Sequence, residues 1–525
     1  MKSASVLTLL ALFTAGLCAE EPAPPKPKAG DWAQWGGSND RNMVSDEKNL
    51  PDDWDAGKKI GDTEEIDPKT TKNVKWVVKL GSQSYGNPVI SQGKVLVGTN
   101  NESPRDPKYN LPDKRPSDRG VVMCFNEADG KFLWQLCSPK LPSGKVNDWE
   151  YLGICSSPLV EGNRVYVVTN RCEVLCLDLN GMANGNDGPF KDEAKYFGGA
   201  GKPIEPGPTD ADIIWQYDMM DELGVFPHNM SNCSILMLGD TLYVNTSNGQ
   251  DWSHVNIPSP NSPSLIALDK KTGQILGEDD AGIGRRLFHG QWSSPSAGLV
   301  NGKLQIFFGG GDGWLYAFDP TPVKEGDHDH IKTLWRFDCN PPEYKTKDGK
   351  KIKYPDANGV SEVIATPVLY KGKIYAATGQ DPEHGEGLGI FTCIDPTKSG
   401  DVTTSGCVWN YKDIKRSIST VSIVDDLVFV GDFSGNVHCL DAATGKVNWV
   451  YPTKSHIWGS SLAADGKVYI GNEEGDIYIF KVSKEKQEPK KISMGAPVFS
   501  SPVAANGVLY IATQTHLYAI QTEKK

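Results

Sequence analysis

The chain has no apolar stretch of the roughly 20 residues that a membrane-spanning helix requires. It has no basic block either: 54 Lys and Arg stand against 66 Asp and Glu, for a net charge of −12. Such a balance argues against nucleic acid or an anionic membrane as a partner. Cys-x-x-Cys-His is absent, so no covalently held haem is expected; the nearest spacing, Cys172 to Cys176, is one residue too long and lacks the His. The glycine-rich run "FFGGGDGW", Phe307 to Trp314, lacks the following helix that a phosphate cradle needs, and reads as a hairpin turn.

Turn residues are plentiful. Glycine and proline supply 55 and 35 of the 525 residues, about a sixth against a usual share of roughly 12%, which favours short strands and many turns. At the N-terminus, Lys2, the apolar Val6 to Phe13 and small residues ending at Ala19 have the layout of a secretory signal peptide, residues 1–19. A lipid anchor at Cys18 is disfavoured by the bulky Leu17 before it. The proline-rich residues 20–31 read as a flexible leader and residues 32–72 as an N-terminal extension. The expected location is periplasmic or secreted.

From there the chain repeats. A second-strand column reads "KVLVG" from Lys94, "RVYVV" from Arg164, "TLYVN" from Thr241, "KLQIF" from Lys303, "KIYAA" from Lys373, "LVFV" from Leu427, "KVYIG" from Lys467 and "VLYIA" from Val508. Each follows a turn dipeptide such as Gly-Lys or Asn-Gly, which is hairpin chemistry. The middle of the next strand is Cys124, Cys176, Ala267, Ala317, Cys393, Cys439, Ile479 and Ala519, so seven of eight units demand a small buried residue. A free cysteine packs there as a small hydrophobe. A fourth strand carries Trp134, Trp215, Trp335, Trp409 and Trp449, with Gly277 in the third unit and no Trp in the seventh. The last unit stops after three strands, while "NVKWVVKL", Asn73 to Leu80, precedes the first unit with Trp76 in register. Radial sheets leave edges exposed unless the ring closes. The fold expected over residues 73–525 is therefore all-β: an eight-bladed β-propeller of four-stranded antiparallel blades, its last blade closed by the N-terminal strand. Six further cysteines, Cys137, Cys155, Cys172, Cys233, Cys339 and Cys407, lie outside the packing slot. Some of these can pair in an oxidising compartment, and Cys393 and Cys407 flank one hairpin.

The turn Ala/Cys-x-Asp-x-x-Thr-Gly-x-x-x-Trp, best kept in Cys439 to Trp449 and partly in Cys124 to Trp134, resembles the repeat of the pyrroloquinoline quinone propellers. That superfamily includes eight-bladed quinoprotein alcohol dehydrogenases and non-enzymatic members such as the propeller lipoprotein of outer-membrane β-barrel assembly. "DWAQWGGSNDRNMVS", "GSQSYGNPV", "HGQWSSP", "GGGDGWLYAFD" and "GQDPEHGEG" look like a secreted, planctomycete-type bacterial group of these propellers. The resemblance covers about Asn73 to Gln521. It implies a fold firmly and a cofactor weakly, because the Trp and Thr-Gly turn sit at the periphery. The dehydrogenases cover their quinone with a disulfide between adjacent cysteines, and this sequence has no Cys-Cys.

The long loops are those joining strand two to strand three and strand four to the next strand one, which share one face of a propeller. Function is expected there. This face carries Trp149, Tyr151, His228, Asn229, Trp252, His254, His289, Gln291, Trp292, Glu362, Arg416, His456 and Trp458. These residues would either line a ligand site or plug the channel. A planar cofactor, pyrroloquinoline quinone with calcium, would stack on Trp292 or Trp458 among His228, His289 and Arg416, with Glu362 or Asp381 as catalytic base. "DPEHGEG" offers Asp381, Glu383 and His384 as metal ligands, and "DHDH", Asp327 to His330, reads as surface. The leading expectation is a monomeric binding or protein-interaction module that meets a small molecule or protein at this face. The alternatives are a quinone- and calcium-dependent dehydrogenase of alcohols or sugars, and an outer-membrane assembly scaffold.

Overall fold

In the computed structural model of the protein, residues 30–325 and 328–522 are described; the signal peptide, nearly all of the leader and Asp327 lie outside them. Eight four-stranded antiparallel blades form an eight-bladed β-propeller. Blade 1 shows the pattern, with strands Val89–Ser91, Lys94–Asn100, Arg119–Asn126 and Phe132–Pro139 paired in that order. The other second strands begin at Arg164, Thr241, Lys303, Lys373, Leu427, Lys467 and Val508, the positions set by the hairpin dipeptides.

The small third-strand residue lies directly opposite the tryptophan. Cys124 faces Trp134, Cys176 faces Trp215, Ala317 faces Trp335, Cys393 faces Trp409 and Cys439 faces Trp449. A bulge adjoins each pair and turns the indole outward across the sheet. In four of the five the indole N–H then reaches a carbonyl of the next blade, as in Trp134 to Leu179 (3.0 Å), Trp409 to Ala442 (3.1 Å) and Trp449 to Ser483 (3.0 Å), while that of Trp335 meets Gln305 Oε1 of its own blade at 3.1 Å. The Thr-Gly turn receives this ring: a Cβ on Gly445 would stand 2.6 Å from Trp409. A glycine is required there both by its φ of 68° and by that contact. Seam after seam, the repeat motif joins blade to blade.

Gly277 has its own cause. The hairpin Val323–Glu325 and His328–Ile331, from the loop between strands three and four of blade 4, adds two strands to the outer edge of blade 3. A Cβ on Gly277 would meet Pro322 at 3.0 Å, so the hairpin fills the space a tryptophan would take. The surface loop expected around His328 to His330 is thus sheet edge. All ten cysteines of the described chain are free, nine of them buried. Cys407 faces Ile394 and Cys393 faces Trp409, so the two flanking that hairpin are out of cross-strand register.

Val74–Lys79 pairs antiparallel with His516–Ile520, setting Trp76 opposite Ala519. Trp76 donates to the Glu127 carbonyl of blade 1 at 3.0 Å and closes the ring.

The extension before that strand is a plug. Residues 32–47 circle the end of the channel away from the long loops and bond in turn to every blade. Trp32 bridges Ile90, Val160 donates to Ala33, Arg41 reaches Ile235 and Pro295, and Ala297 donates to Asn39. Leu369 then donates to Asp40, Asn42 pairs with Ile423, Val44–Ser45 lies parallel to Leu462–Ala464, and Ser45 donates to Ala504.

Candidate functional site

Strand one of each blade starts at the long-loop face, so the segments leading into it converge on the channel mouth. They enclose a cavity of about 270 Å³, near the low end of small-molecule pockets at roughly 300 Å³. Its walls carry Tyr85, Trp149, Trp292, Trp458 and Phe499, and Trp35 of the plug is also exposed to it. Trp35 is tied by its N–H to Thr366 Oγ1 at 3.1 Å. Tyr85 stacks on Phe499 with centroids 5.0 Å apart. Trp458 donates to Glu473 at 2.9 Å and Trp292 to the Met230 carbonyl at 3.3 Å, so both indoles are held by their polar edges with ring surface left for contact.

Asp381 and Glu383 bring negative charge to this lining, and among its described residues there is no Lys or Arg. Asp381 caps the turn Pro382–His384 through the Glu383 N–H and accepts from Asn229 Nδ2 at 3.1 Å. Glu362 is buried nearby, accepting from the Gly290 N–H at 3.0 Å and facing the Tyr354 hydroxyl at 3.4 Å. Burial, and then the charge of Asp381, push its carboxyl well above the usual range. Burial raises Asp381 as well. Paired carboxyls held away from their ordinary behaviour beside a cavity make this a candidate functional site.

Next to them lies a cluster of imidazoles. The rings of His228 and His289 are 4.1 Å apart, those of His254 and His289 4.8 Å, and those of His289 and His384 4.8 Å. Burial lowers His228 and His384 to about 4 each, and lowers His289 further still, with the neighbouring imidazoles adding to the effect. The shift favours the neutral ring in all three, and a neutral imidazole keeps one unprotonated nitrogen.

Of the residues expected to bind a cofactor, Trp292 and Trp458 line the cavity, and His228 and His289 sit just behind Asp381 and Trp292. Arg416 does not face the cavity. It is buried, and its two terminal nitrogens donate to the carbonyls of His384, Gly385, Pro355 and Asp356 at 2.7 to 3.2 Å. It is a positioning residue that fixes the Asp381 turn against the Tyr354 loop. His456 is stacked on Phe433 with centroids 4.3 Å apart and held by Glu473 at 3.1 Å. Of the metal candidates, Asp381 and His384 join the imidazole cluster while Glu383 faces the cavity. Sequence reasoning missed Trp35, Tyr85, Tyr354 and Phe499 as parts of the site. Trp35 and Tyr85 stand in "DWAQWGG" and "GSQSYGNPV", read there only for resemblance.

An eight-bladed ring bolted by tryptophans, with a mouth built from the segments leading into strand one, defines the quinoprotein-type class of propeller. Within that class the chain belongs to the PQQ_2 family, described as "Outer membrane protein assembly factor BamB", which it matches over residues 70–322 and 343–525. A curated relative, the polyvinylalcohol dehydrogenase of Sphingopyxis sp. (strain 113P3), is 27% identical over 234 residues, 40% of this chain and 32% of that protein. The match therefore spans about a third of that relative's length. Among solved structures, BamB from Moraxella catarrhalis is 12% identical with a TM-score of 0.50, covering 85% of this chain and 99% of its own. The quinohemoprotein alcohol dehydrogenase ADHIIG from Pseudomonas putida HK5 is 12% identical with a TM-score of 0.53, covering 94% and 82%. These two likenesses are of fold.

The quinone of such dehydrogenases carries three carboxylates and needs cationic partners. The cavity lining supplies Asp381 and Glu383, and the nearby guanidinium of Arg416 is spent on four carbonyls. The lining thus offers the quinone's carboxylates no cation of its own, a poor match to that cofactor.

Proposed function

We propose that this protein is an extracytoplasmic binding module, periplasmic or secreted, whose blind-ended channel takes a small ligand through the long-loop face. The observation that carries this reading is the plug: hydrogen bonds from residues 32–47 to all eight blades turn a through-channel into a cup. Indole and phenol walls combined with Asp381 and Glu383 suit a compact organic cation with an apolar body, which the ring faces attract and the carboxylates neutralise.

A second reading, a calcium- and quinone-dependent dehydrogenase, has one observation in its favour: Asn229, Asp381 and Glu362 gather beside Trp292. An outer-membrane assembly scaffold rests on the family's description and on fold, with no residue of the site behind it. The deciding experiment is calorimetric titration with choline as the cation, glucose as a neutral polyol, and pyrroloquinoline quinone with calcium. Choline should bind, with affinity falling at least about tenfold in Trp292→Ala and in Asp381→Asn, the order expected for a desolvated cation–π or charge contact. Stoichiometric quinone binding with dye-linked alcohol oxidation would overturn the reading in favour of the enzyme. No saturable heat from any of the three would also overturn it and move the contact to the rim, as a surface for a protein.

A further inference from the structure

We propose that His228, His254 and His289 form a centre for a divalent first-row transition-metal ion, zinc or a chemically similar cation, set in the rim of the channel mouth. One nitrogen from each of the three rings lies within 4.8 Å of the other two. His228 and His289 are 0% and 1% exposed, yet His228 Nε2 and both nitrogens of His289 have no hydrogen-bond partner. Buried polar atoms are rarely left so, and one free nitrogen on each of two adjoining buried rings calls for a shared partner. Imidazole nitrogens in this number favour zinc, copper or nickel over calcium or magnesium, which prefer oxygen.

The surroundings have the character of a metal site's outer layer. His228 Nδ1 lies 2.7 Å from the Gln250 carbonyl oxygen, which can only accept. Nδ1 therefore carries the proton and Nε2 presents its lone pair to the cluster, the arrangement seen when a ligating histidine is oriented by a carbonyl. Asp381 Oδ2 stands 3.9 Å from His289 Nδ1 and serves either as orienting carboxylate or as a further oxygen ligand. Nitrogens bound at about 2.1 Å to a tetrahedral ion sit about 3.4 Å apart. Binding thus draws the nitrogens together by no more than about 1.4 Å, and His254, on an exposed loop, is the one with room to move. With Asp381 in the orienting role, three histidines leave one coordination position open, as in catalytic rather than structural zinc sites.

The test takes the full-length mature protein stripped with a chelator and titrated with Co²⁺ and Zn²⁺, followed by visible absorption of cobalt and by metal analysis after desalting. One equivalent should bind, with cobalt bands of intensity typical of tetrahedral nitrogen ligation and displaced by zinc. His254→Ala, at an exposed position that leaves the core intact, should weaken binding by about a hundredfold or more, the upper end of the loss caused by removing even a supporting residue. Asp381→Asn should weaken it by roughly tenfold. No binding at micromolar metal overturns the proposal, with water then satisfying the imidazoles. Binding that survives unchanged in both His254→Ala and His289→Gln also overturns it, since the ion would then sit elsewhere, as at Asp178, Asp187 and Asp212.

Discussion

His228 illustrates how a single buried group links site and stability. Its ring is fully enclosed, and burial lowers its proton affinity to a pKa of about 4, against about 6.5 for an imidazole in water. Above pH 6.5 both folded and unfolded chains hold it neutral. As pH falls below 6.5 the unfolded chain takes up a proton that the folded chain refuses, so this residue's contribution drops until about pH 4 and then levels. The loss is at most about 3 kcal/mol. Glu362 and Asp381, shifted upward, change in the opposite sense, so the effect is read by comparison with His228→Leu at each pH in the presence of chelator. Wild type should lose stability relative to that variant between pH 7 and pH 4 in urea unfolding. Its His228 resonance should titrate near 4. A midpoint near 6.5 would mean that the ring is hydrated and the enclosed cluster is wrong.

At the scale of an element, the plug depends on Arg41. This guanidinium is fully buried, donates to the carbonyls of Trp35, Ile235 (2.9 Å) and Pro295 (3.1 Å), and faces the Gln34 amide oxygen at 3.3 Å. Burial lowers it to about 10, still charged at neutral pH. Backbone carbonyls at the ends of strand one in blades 3 and 4 take the place of a carboxylate partner. Arg41→Met removes their donors, and each orphaned buried carbonyl costs roughly 1–3 kcal/mol, partly offset by relief of the buried charge. The expected net loss is about 2 kcal/mol, with faster hydrogen exchange confined to residues 32–47 and a channel opened at both ends. Unchanged protection of those amides would show that the other contacts hold the plug unaided. The repeat could not reveal this element. Residues 32–47 have no period of their own, and their partners in the blades lie far away in sequence, 58 positions for Trp32 to Ile90 and 459 for Ser45 to Ala504.

For the whole molecule, ring closure is the costly step, because Val74–Lys79 must find His516–Ile520 at the opposite end of the chain. Trp76 is the bolt: its ring covers Gly130 and its N–H bonds Glu127, both in blade 1. Trp76→Ala should cost about 3–5 kcal/mol, as large-to-small changes in buried aromatics do. Hydrogen exchange should rise at residues 126–131 and 516–520 together while the seam between blades 4 and 5 stays protected. Loss spread evenly over all eight seams would mean that the ring opens as one unit rather than at its closure.

Local rules reached far. Hairpin dipeptides located all eight second strands, and the alternation of a small residue with tryptophan set the cross-strand pairs and the closure through Trp76, because each rests on neighbours a few residues apart or on a repeated column. Trp292 and Trp458 were legible as cavity aromatics for the same reason: they follow the repeat into strand one. What the sequence could not say was which way Arg416 points, that Gly277 yields its place to a hairpin from the next blade, that Trp35 faces the channel, or that His254 joins His228 and His289. Those facts depend on segments far apart in the chain meeting at the rim, at the outer edge of a blade or inside the channel. Such meetings are decided by burial and hydrogen-bond satisfaction across the closed ring, for which no short-range pattern in the chain codes.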